Sequence, residues 1–119
     1  YRGTENALTT VHALLNAQRF RGPDSLKACT LGPLSFGAVR LSISDPHNRD
    51  ADMPFMLDGT PYSVVLNGEV YNHRAVRRVL NCHWRTAADT ETFIAAFEAW
   101  GPKAFLECHG MFACAIFHR

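Results

Sequence analysis

The feature that most constrains this chain is an apolar run that leads into a polar, glycine-containing segment. Residues 62–66 read Tyr-Ser-Val-Val-Leu, and this β-branched and aromatic run predicts a buried strand. Asn67, Gly68 and Glu69 follow directly, so a flexible turn is expected where the strand ends. The turn would hold an amide, a glycine N–H and a carboxylate together, which suits a pocket that binds an amide and stabilises an oxyanion. Taken alone, the Asn-Gly pair favours a β-hairpin turn instead.

Size and composition describe one ordinary globular domain, or most of one. The 119 residues are 47% hydrophobic and carry a formal net charge of +1, which gives no electrostatic reason to expect nucleic acid as a partner. Arg74, Arg77 and Arg78 form the densest basic group, which is more often a solvated helix face than the alternative, an anion site. No apolar run is long enough for a membrane span and no signal peptide is visible, so we expect no membrane partner and a cytoplasmic location.

The cysteine pattern favours neither disulfides nor a metal site. The four residues are Cys29, Cys82, Cys108 and Cys114, without C-x-x-C spacing, and reduced thiols in a cytoplasmic protein are the simplest account. Cys114 and His118 lie four apart, but the alternating apolar pattern around Cys114 fits a core strand better than a metal ligand. No metal is therefore expected.

Hydrophobic periodicity predicts a mixed order of helices and strands. Helices are expected at residues 6–20, 72–80 and 90–100, with a helical turn at 104–107. Strands are expected at residues 29–31, 34–41 (running on to 44), 62–66 and 111–117, with a polar loop at 45–59. Asn72 is placed to cap the second helix. Because helices and strands do not alternate regularly, an α+β layered domain is favoured over a doubly wound parallel sheet.

Polar clusters stand at the boundaries of these elements, where functional sites collect on a rigid scaffold. Arg40 is suited to clamp a carboxylate. Asn67 and the Gly68 N–H could accept a developing oxyanion, and Glu69 with Asp89 could bind an ammonium group. Together they suggest a pocket for an α-amino acid that carries a reactive carbonyl. The clusters are residues 21–24, 40–45, 67–69 and 88–91.

Each of these residues also has an ordinary structural role open to it. Arg40 fits a surface ion pair, and Glu69 fits a solvated turn. Asp89, directly ahead of Thr90-Glu91, fits a helix N-cap. Capping and ligand binding do not exclude each other at Asp89.

The order and spacing of five motifs resemble the glutamine amidotransferase domain of asparagine synthases, the class II type with an N-terminal nucleophile. The resemblance runs from about Arg19 to the end of the chain. It implies an α+β fold, a four-layer αββα sandwich incomplete at both ends, with residues 1–119 as a partial type 2 domain. The motifs are Arg-Gly-Pro-Asp-Ser at 21–25, Arg-Leu-Ser-Ile-Ser-Asp at 40–45, Asn-Gly-Glu-Val-Tyr-Asn at 67–72, Asp-Thr-Glu at 89–91 and Gly-Met-Phe-Ala at 110–113.

The resemblance also implies a role for each pocket residue. Arg40 would hold the glutamine α-carboxylate, and the segment after it would line the same side. Asn67 and the Gly68 N–H would be the catalytic groups of an oxyanion hole, while Glu69 and Asp89 would take the α-ammonium group. The implied glutamine-binding residues are Arg40, Leu41, Ile43, Ser44, Asn67, Gly68, Glu69 and Asp89.

The implied reaction is hydrolysis of glutamine to glutamate and ammonia. The ammonia would pass to an ATP-dependent synthetase domain that is not present in this sequence. L-Glutamine and that synthetase domain are the expected partners, and a homodimer is a further expectation. ATP and magnesium would belong to the synthetase domain, so no cofactor is expected in residues 1–119. The alternative is a degenerate, non-catalytic domain with a structural or glutamine-binding role.

The start of the chain departs from the family pattern. The family begins with Cys-Gly, whose thiol attacks the glutamine amide and whose α-amine serves as base. This sequence begins Tyr1-Arg2-Gly3, and a phenol with a pKa near ~10 does not replace that thiol. We expect residues 1–3 to end the family's first strand, with the cysteine a few residues upstream in the full-length protein. In the alternative, the nucleophile is absent and the domain is a relic.

The chain of residues 1–119 is predicted to show no glutaminase activity, because it has no N-terminal thiol. The measurement is ammonia release from glutamine in a coupled assay, with heat-treated protein as the control. Ammonia above that background would contradict the prediction.

Overall fold

The computed structural model describes residues 4–119, and side chains from Ala7 onward. The strand end predicted at residues 1–3 lies outside the described residues. The helices of the described part are α1 (Thr4–Ala17), α2 (His73–Leu80), α3 (Asp89–Trp100) and α4 (Ala104–Glu107), with 3₁₀ turns at Arg19–Arg21, Arg49–Ala51 and Gly101–Lys103. The strands are β1 (Ser25–Leu31), β2 (Leu34–Arg40), β3 (Phe55–Met56), β4 (Tyr62–Val70) and β5 (Gly110–His118).

The strands form two antiparallel sheets. β1 and β2 make a two-stranded sheet that pairs Ser25 with Arg40 and Leu31 with Leu34. The second sheet has the order β3-β4-β5, and Val64 in its central strand lies opposite both Phe55 and Ile116. This mixture of helices and antiparallel strands confirms the predicted α+β class.

Helix α1 and the second sheet lie on opposite faces of the first sheet. A Cβ atom at Gly37 would lie 2.6 Å from Leu15 Cδ1, so α1 packs closely on that face of β2. On the other face, Phe36 stacks on Phe117 of β5 with ring centroids 3.8 Å apart. The four-layer sandwich that the family resemblance implies stays a prediction.

The main hydrophobic core lies between the second sheet and α3. Val64 and Leu66 of β4 are buried against Phe93 and Ile94 of α3, which are both 0% exposed. Phe93 also meets Phe112 of β5 edge-to-face at 5.1 Å between centroids. Burial of so much apolar surface fixes α3 on the sheet, and with it the polar residues at the start of the helix. Half-buried Cys114 packs against this core, as the apolar pattern predicts.

The predicted turn at Asn67-Gly68 is wrong. β4 continues to Val70, and Gly68 lies opposite Phe112 of β5. Gly68 has a φ of +127°, and a Cβ atom there would lie 2.0 Å from the Met111 carbonyl oxygen. The glycine therefore permits a close approach of two strands rather than a hairpin reversal.

Some predicted boundaries also move for tertiary reasons. β2 ends at Arg40 rather than running on to residue 44, because the Arg40 side chain binds the carbonyl groups of Ser44 and Asp45 and folds that segment back. β1 begins at Ser25 rather than at residue 29, since its pairing with β2 continues to the end of that strand. The predicted polar loop contains β3 at Phe55–Met56, which pairs with β4.

Two predicted helix caps take other roles. Asn72 occupies the N-cap position of α2, but its side chain forms no cap hydrogen bond. It instead donates to the Glu107 carbonyl and accepts from the His109 N–H, both at 2.8 Å. Ala88 occupies the N-cap position of α3, so Asp89 is the first helical residue rather than the cap.

No helix in residues 4–119 is long and apolar enough to cross a membrane.

Gly68→Ala is predicted to destabilise the domain by about 2 kcal/mol or more, because it combines a positive φ with a backbone clash. The free energy of unfolding from chemical denaturation measures this. Gly59→Ala is the matched control, since its φ is +73° and no atom lies within 4 Å of a built Cβ. Equal losses for the two variants would contradict the role of the close strand approach.

Candidate active site

One cavity brings together all of the residues that the motifs single out for glutamine binding. Its volume is about 780 Å³, and it opens between α1, β2, β4 and the start of α3. This size is in the range of pockets for small polar ligands. The predicted site residues among its lining are Arg40, Leu41, Ile43, Ser44, Asn67, Gly68, Glu69 and Asp89.

The segment Asn67, Gly68 and Glu69 forms an exposed wall of this cavity. Within the part of the chain that the structure describes, the side chains of Asn67 and Glu69 make no hydrogen bond or ion pair. Their amide and carboxylate groups therefore remain available to a ligand. Gly68 is exposed between these two groups.

The carboxylate of Asp89 is buried on another side of the cavity and joins three segments. Its Oδ2 accepts the Val70 N–H at 2.8 Å, and its Oδ1 accepts the Thr90 N–H at 3.0 Å and the Ser44 hydroxyl at 3.3 Å. A position at the first turn of α3 favours this negative charge. Two carboxylate oxygens can accept about four hydrogen bonds, so Asp89 retains capacity for a donor from a ligand.

The guanidinium of Arg40 is buried and engaged by the protein itself. Its Nη1 donates to Asp52 Oδ1 at 3.0 Å and to the Asn48 carbonyl at 3.1 Å. Its Nη2 donates to the carbonyls of Ser44 at 2.7 Å and Asp45 at 3.1 Å. Each terminal nitrogen carries two N–H groups, so these bonds use all four. The ion pair that sequence patterns allow at Arg40 is therefore present, but it is buried rather than on the surface.

The segment that precedes Asp89 is held by Arg77. The Arg77 side chain donates to the carbonyls of Thr86 and Ala88, both at 2.7 Å, and to Thr92 Oγ1 at 2.6 Å. It also lies over the Trp84 ring, 4.3 Å from its centroid. The predicted solvated basic face is thus wrong for Arg77, because the loop before α3 folds over that side of α2.

A buried carboxylate supports the same loop from α3. Glu91 is 3% exposed and accepts the N–H groups of Arg85 and Thr86 and the Thr86 hydroxyl, at 2.7 to 2.9 Å. Its Oε2 lies 3.8 Å from Arg77 Nη2. Burial lowers the pKa of Arg77, and the charge of Glu91 acts in the opposite direction. These contacts fix the backbone from which Asp89 projects.

His73 at the start of α2 lies close to the acidic side of the site. Its Nδ1 is buried and has no hydrogen-bond partner among the described residues. Burial lowers the pKa of His73, whereas Asp89 raises it. Since the first effect is the larger, the pKa of His73 lies below its ordinary value and the neutral imidazole is favoured.

No cysteine of residues 4–119 lines the cavity. Burial raises the pKa of the Cys29, Cys108 and Cys114 thiols, which disfavours the reactive thiolate. Among the described residues, no group of three or more His, Cys, Asp or Glu is arranged to hold a metal ion. The described walls supply amide, carboxylate, hydroxyl and backbone groups that can bind and polarise a ligand.

Comparison with known proteins identifies the class to which this fold and site belong. The whole chain, residues 1–119, matches the family described as "Glutamine amidotransferase domain". The chain therefore belongs to the glutamine amidotransferase domain family.

Similar proteins narrow this class further. The chain is 34% identical over 99 residues to the asparagine synthetase [glutamine-hydrolyzing] of Asparagus officinalis, and this match covers 82% of the chain. It is 32% identical over 102 residues to asparagine synthetase [glutamine-hydrolyzing] 1 of Bacillus subtilis, a match that covers 83% of the chain. It is 29% identical over 119 residues to asparagine synthetase [glutamine-hydrolyzing] 2 of the same organism, a match that covers 99% of the chain. It is a glutamine amidotransferase domain of the asparagine synthase family, as the five motifs predict. It spans only 16% of the length of each of these relatives.

Arg77→Lys is predicted to destabilise the domain by about 2 kcal/mol, because an ammonium group cannot replace the three directed hydrogen bonds and the Trp84 contact. Arg78→Lys, on the exposed side of the same helix, is the matched control and should change stability by less than about 0.5 kcal/mol. Thermal and chemical denaturation compare the two. Equal stability of the variants would show that the loop before Asp89 does not depend on Arg77.

Proposed function

We propose that the full-length protein hydrolyses glutamine to glutamate and ammonia in this cavity. The observation that carries the proposal is the meeting of separate chain segments around one space, with groups that complement an α-amino acid amide. Membership of the glutamine amidotransferase family supports the substrate. The glutamine-hydrolysing asparagine synthetases among its relatives support the reaction.

The proposed binding mode assigns each part of glutamine to one wall. Glu69 and Asp89 would hold the α-ammonium group, where two carboxylates offer charge-assisted hydrogen bonds. Arg40 would lie on the side of the α-carboxylate. The amide carbonyl would point toward Asn67 and the Gly68 N–H, which would stabilise the negative charge that develops on the oxygen during attack.

The proposed chemistry proceeds through a thioester. The thiol of an N-terminal cysteine, which the family resemblance implies for the full-length protein, would add to the amide carbon while its α-amine takes the proton. Collapse of the tetrahedral intermediate would transfer that proton to the leaving nitrogen and release ammonia, and water would then cleave the thioester to give glutamate and the free thiol. Leu41, Ile43 and Ser44 would close the wall beside Arg40 and restrict water near the reacting carbonyl.

The proposal extends to a synthetase domain in the same protein. The names of relatives that are about five times as long as this chain describe asparagine synthetases. We propose that the released ammonia reaches such a domain, which activates a carboxylate with ATP and magnesium, and that aspartate is the acceptor. We place the reaction in the cytoplasm, where the reduced cysteines of this chain would be stable.

A non-catalytic role is the second candidate, and one observation favours it. All four terminal N–H groups of Arg40 are engaged by the protein, so the expected clamp for the α-carboxylate is occupied. A domain that supports a synthetase without hydrolysing glutamine would tolerate this arrangement.

Two substitutions on the exposed cavity wall test the proposed function in the full-length protein. Asn67→Ala is predicted to lower kcat for glutamine hydrolysis by about 100-fold, because one oxyanion donor is lost. Glu69→Gln is predicted to raise KM by about tenfold with a smaller change in kcat, because one ammonium partner loses its charge. Neither side chain has a hydrogen bond or ion pair within residues 4–119, so the melting temperature should stay unchanged.

Glu98→Gln is the control for Glu69→Gln, since Glu98 is exposed on α3 and lies outside the cavity lining. Its kinetics should match the wild type. Wild-type rates in both cavity variants would remove Asn67 and Glu69 from the site. Absence of hydrolysis in the full-length wild type would favour the non-catalytic candidate.

A further inference from the structure

We propose that Asp52 sets the affinity of this cavity for its amino-acid ligand, by competing with the ligand's α-carboxylate for the buried guanidinium of Arg40. The inference rests on the proposed function, because it takes glutamine as the ligand. It concerns a residue that lies in the loop between β2 and β3, outside the motifs that define the family resemblance.

The contact between the two side chains is a buried ion pair. Asp52 Oδ1 lies 3.0 Å from Arg40 Nη1, and the side chains are only 11% and 8% exposed. Asp52 Oδ2 lies 3.5 Å from Nη1 of Arg49, whose side chain is 74% exposed. Water and salt screen the contact with Arg49, whereas the contact with Arg40 is protected from both. Asp52 therefore neutralises Arg40 in the folded protein.

A ligand carboxylate cannot bind Arg40 in two-point fashion without displacing a group that is already there. The other three acceptors are backbone carbonyls, from Asn48, Ser44 and Asp45. The bonds from Arg40 to those carbonyls hold the backbone of the loop after β2 in place, so displacing them would disturb that loop. Asp52 supplies the one charged acceptor among the four. The carboxylate of a ligand would therefore replace Asp52 at Arg40. Because one ion pair is exchanged for another, the ligand's charge contributes little net binding free energy.

The backbone around Asp52 keeps its carboxylate in place. Asp52 follows the 3₁₀ turn Arg49–Ala51, and its N–H donates to the Arg49 carbonyl at 3.0 Å. The turn begins with a side-chain cap, since Asn48 Oδ1 accepts the Asp50 N–H at 3.0 Å. Ala51 is 2% exposed. Because the Asp52 N–H is hydrogen-bonded and Ala51 is buried, the backbone that carries the Asp52 carboxylate is held beside Arg40.

The distribution of charge around the cavity also favours weak binding of the ligand's α-carboxylate. With Arg40 neutralised by Asp52, the carboxylates of Glu69 and Asp89 dominate the ligand side. Arg21 also lines the cavity, but it is exposed, and an exposed ion pair contributes little. The cavity should therefore recognise the ammonium end of an amino acid strongly and its α-carboxylate weakly.

The test compares L-glutamate with 4-aminobutanoate, which is glutamate without its α-carboxylate. Neither compound is an amide that the proposed reaction could hydrolyse, so binding can be measured by calorimetry on the full-length protein. For the wild type we expect L-glutamate to bind less than about tenfold more tightly than 4-aminobutanoate. A preference of about 100-fold or more would overturn the proposal, because it would show a strong carboxylate clamp despite Asp52.

Asp52→Asn keeps an oxygen that can accept from Arg40 but removes the competing charge. We expect this variant to bind L-glutamate about tenfold more tightly, through charge-assisted hydrogen bonds to Arg40. Its affinity for 4-aminobutanoate should stay within about twofold of the wild type, and KM for glutamine should fall while kcat holds. Asp50→Asn is the matched control, because Asp50 is exposed in the same turn, and it should change neither affinity.

A folded Asp52→Asn variant with unchanged or weaker L-glutamate binding would overturn the inference. If the variant does not fold, the wild-type preference between the two ligands decides alone. Failure of the proposed function is seen separately, as absence of glutamine hydrolysis in the same preparations. If neither ligand binds the wild type or the variant, the inference about Asp52 is overturned whether or not glutamine is hydrolysed.

Discussion

The hydrogen bond from the Val70 N–H to the Asp89 carboxylate, 2.8 Å long, is the contact on which the site depends. It joins the end of the central strand to the first residue of α3, whose apolar residues are buried in the main core. Ser44 donates to the other carboxylate oxygen and brings in the loop after β2. Because Asp89 is buried, the loss of these partners would leave a costly charge, so strand, helix and loop are held in one arrangement.

Two arginines fix the loops that carry the remaining polar groups. Arg77 binds the carbonyls of Thr86 and Ala88, and Arg40 binds those of the loop that follows β2. Both side chains satisfy partly buried backbone oxygens of the loops. A guanidinium group that is engaged in stabilising a loop is less available to a ligand in the cavity. In particular, the pairing of Arg40 with Asp52 links loop architecture to ligand recognition.

Structural features that depend on local sequence patterns could be predicted from the sequence, whereas features that depend on contacts between distant segments could not. The helix at residues 90–100 and the strand at 111–117 are confirmed, since their apolar periodicity is a local signal. The Asn67-Gly68 turn is wrong, because pairing with β5 outweighs the local preference of that dipeptide. The role of Asp52 had no signal at all, since it depends on a contact with a residue that is 12 positions earlier in the sequence.

The sequence by itself determined the α+β class, the family and the residues that line the candidate site, because motif order and hydrophobic pattern are properties of the chain. Tertiary structure alone decided which of those groups face the cavity without a protein partner. Asn67 and Glu69 are exposed on its wall, whereas Arg40 is enclosed by four acceptors. The physical reason is that hydrogen-bond saturation depends on how distant segments pack, and spacing along a sequence does not encode it.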